Sequence, residues 1–309
     1  MFTLHHKTTL TVDDVVIQYQ IFDMSQPIMV TFPPSCQALT PSQAQQQHPN
    51  VWSFDFFAKQ QMNVISFNPI GDDNIYGSQA FRDFVIKLGQ ALKPFSERIG
   101  YGISRGGYAI RQFSADLGID RALLIVPISS YDYQLAPWEP KCREMSPELS
   151  QSLTSDYQIP TTIIYDPLYA VDTKHAQVFD TCVESIHLTG VGHRVARALA
   201  HMGALKQLVL QYRTGQVDKL ALFRACRQRR HLSYHFRNLK ELNPKRLTWR
   251  RRLVIAYHRT FIQKHNVKFD RRKFELRLQQ SCCKRVNTIR CLVKQKSSLM
   301  GKSLIKTKL

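Results

Sequence analysis

No run in this chain approaches the 18 or more consecutive apolar residues of a bilayer-spanning helix, and the opening MFTLHHKTTLTVDD has no apolar core of a secretory signal. The expectation is a cytoplasmic protein, at most peripheral at a membrane. The seven cysteines (Cys36, Cys142, Cys182, Cys226, Cys282, Cys283 and Cys291) are odd in number and scattered, with no CxxC pair. That pattern suggests neither a disulfide framework nor a common zinc site, so reduced thiols and no metal are expected. Neither GxGxxG spacing nor a GxxxxGK[ST] loop occurs, so nothing calls for a nucleotide or any other cofactor. Acidic residues are nearly missing from the end of the chain. Residues 212–309 carry 28 of the 43 Lys+Arg but only 4 of the 23 Asp+Glu. The net charge of +20 therefore belongs to an appendage, not to the body.

With 309 residues, 43% of them hydrophobic and 10% aromatic, the chain can bury a large core. Residues 2–22 alternate apolar and polar side chains and break at Asp13-Asp14, which predicts two antiparallel strands joined by a tight turn. Six short apolar runs follow: PIMVTF from Pro27, NVISFN from Asn63, a run leading into Gly102, ALLIVP from Ala122, TTIIY from Thr161 and VESIHL from Val183. Such runs mark strands buried on both faces. Helical spacing separates them: around Trp52 to Gln60, from the N-cap candidate Ser78 to Leu92, and from Arg105 to Leu117 with Gly118 as its stop. A last helix is expected from His193 through Tyr212, ending at Gly215. Strands alternating with helices predict a mostly parallel sheet with helices on both faces.

Arg98 to Tyr108 reads RIGYGISRGGY. A serine between two glycines, leaving an apolar run and entering a helix, suits a turn so tight that neighbouring side chains must be absent, with its hydroxyl exposed at the tip. On Gly102-Ile103-Ser104-Arg105-Gly106 the sequence resembles the α/β-hydrolase family. For residues 1–215 the resemblance implies an α/β fold with a mostly parallel eight-stranded sheet. It also implies a nucleophile, an acid and a histidine in that chain order, each after a strand end. Ser104 then fits the nucleophile and His193, in TGVGH, the base. His187 lies within an apolar strand and is set aside, and His175 is expected only to decorate a helix. The acid is either Asp172, in the loop beyond TTIIY, or Asp166, directly at the strand end. Asp172 fits the family's placement better and would equally suit a helix N-cap.

The oxyanion donors implied are the backbone N–H of Arg105 and one from the loop after PIMVTF, where Pro33 and Pro34 have none and Ser35 or Cys36 must serve. The Arg105 side chain is expected to form a buried ion pair with Asp72 or Asp73, the alternative being recognition of a carboxylate or phosphate. Residues 128–160, aperiodic and holding Trp138 and four prolines, occupy the place of a lid or of a plain surface connection.

Beyond residue 215 the chain reads as a basic helical extension over 216–283, with apolar positions such as Leu220, Phe223, Leu232, Phe236 and Leu239 before a break at Asn243-Pro244. A basic tail follows over 284–309. So much positive charge calls for an anionic partner: a phospholipid surface, an acidic polysaccharide or nucleic acid all fit. The resulting expectation is a serine esterase acting on a small-molecule, lipid or acylated polysaccharide ester. Its rivals are an acyltransferase with the same three residues and a non-catalytic scaffold that works through its basic helices.

Overall fold

The computed structural model describes residues 2–144, 159–179, 183–232, 234–242 and 248–266. Residues 145–158 of the expected lid, residues 267–283 of the extension and the tail from 284 lie outside the described residues. Eight strands form one sheet: β1 (Thr8–Val12), β2 (Val15–Gln20), β3 (Ile28–Phe32), β4 (Asn63–Pro69), β5 (Arg98–Ile103), β6 (Arg121–Ile125), β7 (Thr161–Tyr165) and β8 (Val183–His187). Their spatial order is β1-β2-β4-β3-β5-β6-β7-β8. β2 runs antiparallel to both its neighbours, and every other pair from β4 to β8 is parallel. The β1–β2 hairpin turns at Asp13-Asp14 as expected, with Asp13 at a positive φ of 45°.

The helices are α1 (Pro41–Ala44), α2 (Phe54–Ala58), α3 (Gln79–Leu92), α4 (Arg105–Leu117), α5 (Ala170–Gln177), α6 (Val195–His201), α7 (Leu205–Arg213), α8 (Lys219–Cys226), α9 (His235–Leu242) and α10 (Trp249–Asn266). Strand alternation decides which helix covers which face. On β5, Tyr101 points to one side and meets Trp52 and Phe57 of the α2 region. Gly100 and Gly102 point to the other, where the Ile110 side chain packs on Gly100 and the Gly106 backbone of α4 comes so close to Gly102 that only glycine fits there. Phe32, Phe67, Phe81 and Phe113 pack as one aromatic group between β3, β4, α3 and α4. α3 starts where Ser78 caps it by accepting from the Phe81 N–H.

α3 and α4 approach closely at Gly89, where an added Cβ would lie 1.8 Å from the Asp116 carbonyl oxygen. Because backbone must move to make room, Gly89→Ala is expected to destabilise the protein by about 1–3 kcal/mol in denaturant unfolding. An unchanged midpoint would refute this packing.

Two expectations change. The single helix over 193–215 is two, α6 and α7, because Gly203 at φ +71° turns the chain between them. The body does not end at residue 215 either. The chain divides into one compact unit to Thr248 and another from Trp249. α8 and α9 belong to the first: Leu222 and Cys226 of α8 and Leu232 before α9 are buried in its core, and His235 and Phe236 of α9 are buried as well. Their apolar spacing signalled a buried face but not that the body buries it; Leu220 and Phe223 are the residues that point outward.

Candidate active site

Ser104 occupies the single turn between β5 and α4 at φ 53°, ψ −111°, a conformation an L-residue adopts at a cost of about 1–3 kcal/mol. Its neighbours enforce the turn. A Cβ on Gly102 would sit 2.5 Å from the Gly106 backbone, one on Gly106 would sit 2.1 Å from the Phe32 carbonyl oxygen, and one on Gly107 would sit 2.4 Å from the Pro127 Cβ. The serine's own backbone is pinned to the end of β6, donating to the Ile125 carbonyl at 3.0 Å and accepting from the Ile128 N–H at 3.1 Å. The side chain is left at the carboxyl edge of the sheet.

β5, β6, β7 and β8 are parallel neighbours, so the loops after β7 and β8 leave from that same edge. Asp172, in the first turn of α5, and His193, just before α6, are joined by a 2.8 Å hydrogen bond between Oδ1 and Nδ1. Since the carboxylate can only accept, Nδ1 carries the proton and Nε2 is the free basic nitrogen. Asp172 is buried and the His193 side chain is 45% exposed, the arrangement of a fixed acid and an accessible base. The hydrogen bond to Asp172 raises the His193 pKa above the ordinary 6.5, against an opposing effect of burial. Burial in turn pushes the Asp172 carboxyl up, opposed by its bond to His193. Among the described residues no hydrogen bond joins Ser104 to His193. Such contacts are often loose without substrate and tighten when it binds.

Asp166, the other candidate acid, does something else. Its Oδ2 accepts from the N–H groups of Gly190 at 2.8 Å and Gly192 at 2.7 Å, and its Oδ1 from the Leu168 N–H at 3.0 Å. Fully buried, it ties the TGVGH loop to the end of β7, and Gly190 and Gly192 reach it at φ +85° and +62°. The structure therefore brings Asp172 to the histidine and Asp166 to the loop that carries it.

Arg105 is the first residue of α4, and its N–H has no backbone acceptor among the described residues; the same is true of the N–H groups of Ser35 and Cys36, which open a single 3₁₀ turn over Ser35–Gln37. The first turn of α4 lies against the end of β3 at Gly106. The expected ion pair of the Arg105 side chain with Asp72 or Asp73 is not formed. Its buried Nη1 instead donates to the carbonyl oxygens of Asp72 at 3.0 Å, Asn74 at 2.9 Å and Gly71 at 3.5 Å. The guanidinium thus holds the loop after β4 by main chain, while Asp72 and Asp73 are exposed.

Sequence reasoning missed a second buried group behind the first. His175, expected on a helix surface, is buried: Nε2 lies 3.1 Å from Glu139 Oε2, and Nδ1 accepts from the Ser129 N–H at 3.1 Å, with Ser129 Oγ at 2.9 Å. It stands one helical turn from Asp172 on α5, an i,i+3 spacing that is the one signal the sequence offers. Glu139 and Ser129 come from the aperiodic stretch after β6 and gave none. His187 is exposed and bonds the Tyr165 hydroxyl at 3.1 Å, outside this group. No cluster of three or more metal-ligating side chains occurs among the described residues.

No protein-family model and no curated protein matches the chain. Among solved structures it is similar to the capsule O-acetyltransferase of Neisseria meningitidis serogroup A, at 11% identity over 67% of this chain and 94% of that one, TM-score 0.44. It is similar to a carboxylesterase from Bacillus subtilis, at 14% identity over 69% and 92% of the two chains, TM-score 0.43. An alpha-beta serine hydrolase homologue from Coxiella burnetii matches at 11% identity over 69% and 99%, TM-score 0.40.

Proposed function

We propose, for a chain that has the α/β-hydrolase fold, that it is a serine hydrolase cleaving a carboxylic ester through Ser104, His193 and Asp172. The observation that carries this reading is the 2.8 Å bond between buried Asp172 and exposed His193 at the sheet edge where the strained Ser104 turn ends. His193 Nε2 takes the Ser104 proton as Oγ attacks the acyl carbon, and Asp172 stabilises the imidazolium that forms. The developing oxyanion is held by the N–H of Arg105 and that of Ser35 or Cys36. The proton then passes from His193 to the departing alcohol, leaving an acyl-enzyme on Ser104. Water, deprotonated by the same histidine, releases the acid. A second alcohol in place of that water would make the same residues an acyltransferase.

The test is hydrolysis of a panel of nitrophenyl acyl esters followed against pH. Because the Asp172 bond raises the His193 pKa, the base is lost as pH falls through a value above 6.5. kcat/KM should therefore rise with pH on a limb whose midpoint lies above 6.5. A limb at or below 6.5 would contradict the pairing.

The same proposal assigns the basic end of the chain to docking on an anionic surface, where esters of lipids or acylated polysaccharides are found. No helix among the described residues is long and apolar enough to cross a membrane. α10 carries Arg250 and Arg252 beside exposed Trp249, Leu253 and Tyr257, a mixture that suits headgroups better than plain solvent. Co-sedimentation with vesicles containing anionic lipid should occur at low salt and vanish as salt is raised. Equal retention by neutral vesicles would overturn the electrostatic assignment.

A further inference from the structure

The loop that carries His193 is held from two sides, and only one of them belongs to the sheet. At Gly190 the backbone N–H donates to Asp166, and the carbonyl oxygen of the same residue accepts a 2.8 Å hydrogen bond from His235 Nδ1 on α9. A carbonyl only accepts, so Nδ1 bears the proton. His235 is buried, and burial lowers its pKa, opposed by its bond to the Gly190 carbonyl; of the charged groups that act on it, Arg229 lowers the pKa further and Asp166 raises it. The fit is close. A Cβ on Gly190 would lie 2.7 Å from His235 Cε1 and 2.8 Å from Leu239 Cδ2, and one on Gly192 would lie 3.0 Å from Asn238 Nδ2. Three residues of α9, His235, Asn238 and Leu239 at i, i+3 and i+4 on one face of the helix, therefore lie on the two glycines that lead into His193.

We infer that His235 is a positioning residue for His193, and that the segment carrying α8 and α9 is a working part of the active site and not only a basic appendage. The inference rests on the role proposed above for His193. Asp166 fixes the loop's amides and His235 fixes its carbonyl, so the loop cannot rotate about Gly190 without losing a buried hydrogen bond on one side. Since Gly190 and Gly192 have no side chains of their own to pack, the placement of His193 depends on these outside contacts together with its own bond to Asp172. Small misplacements of a catalytic base are costly, about 10²-fold for 1 Å.

Two variants in the full chain separate positioning from folding. His235→Leu keeps bulk and removes the donor, whereas His235→Asn keeps an N–H at about the reach of Nδ1. In His235→Leu kcat should fall about tenfold or more with KM little changed, and His235→Asn should recover most of it. The second readout does not depend on catalysis. It is the pH titration of the His193 ring resonance, identified by its loss in His193→Gln. Its midpoint, raised in wild type by the Asp172 bond, should drop toward the ordinary imidazole value in His235→Leu and return in His235→Asn. A folded His235→Leu protein with an unchanged His193 midpoint would overturn the inference. If wild type hydrolyses nothing but the midpoint moves as described, the hydrolase reading fails and the positioning of His193 by His235 stands.

Discussion

Ser104→Ala is expected to lower kcat/KM for ester hydrolysis by about 10⁴-fold or more while leaving the fold intact. The size follows from what the hydroxyl does. In the proposed mechanism the covalent intermediate cannot form without it, and only the proposed oxyanion donors and substrate binding would remain to assist water. The fold should not suffer, because the Ser104 backbone is held by main-chain bonds to Ile125 and Ile128 that alanine keeps. Relief of a costly conformation is not expected either, since alanine at φ 53° is as strained as serine. Steady-state rates beside a thermal unfolding curve check both halves. A residual rate within tenfold of wild type would place the reaction elsewhere.

Asp172→Asn is expected to cost about 10⁴-fold in kcat, again with little change in stability. The carboxylate accepts from His193 Nδ1 and so places the free lone pair on Nε2. An amide in its place can donate to Nδ1, which favours the tautomer that has its proton on the wrong nitrogen. Asp166→Asn should behave differently. Its Oδ2 receives two main-chain N–H bonds, and an amide nitrogen there would face two donors. The expected result is a loss of stability of about 1–3 kcal/mol, with activity reduced through the loosened loop. Measuring both variants by kcat and by denaturant midpoint tells the two aspartates apart. Equal midpoints and a larger activity loss in Asp166→Asn would exchange their roles.

Much of this arrangement was legible in the residues. Short apolar runs such as IMVTF and TTIIY, rich in β-branched residues, read as strands covered on both faces and are so, and the glycines around Ser104 read as a tight turn whose close backbone contacts the structure shows. What stayed hidden was which distant group each polar side chain would find. Asp166 looked like an acid at a strand end, yet its partners lie 24 and 26 residues further on, as amides, which leave no trace in side-chain identity. His175 and Glu139 are 36 residues apart, and one of them sits in a stretch with no periodicity. Arg105 was matched to the nearest carboxylates and found carbonyls instead. The apolar spacing over α8 and α9 promised a buried face, but neither it nor the charge around it says what covers that face. Leu222 and Cys226 of α8, Leu232 between the helices and Phe236 of α9 are the residues buried there.

The most direct test of the account is to treat the folded protein with a fluorophosphonate and locate the adduct by peptide mass. Activation of Ser104 by His193 predicts one adduct, on Ser104, absent from Ser104→Ala and formed far more slowly in His193→Ala. Folded wild-type protein that stays unmodified, or that is modified at another serine, would contradict it.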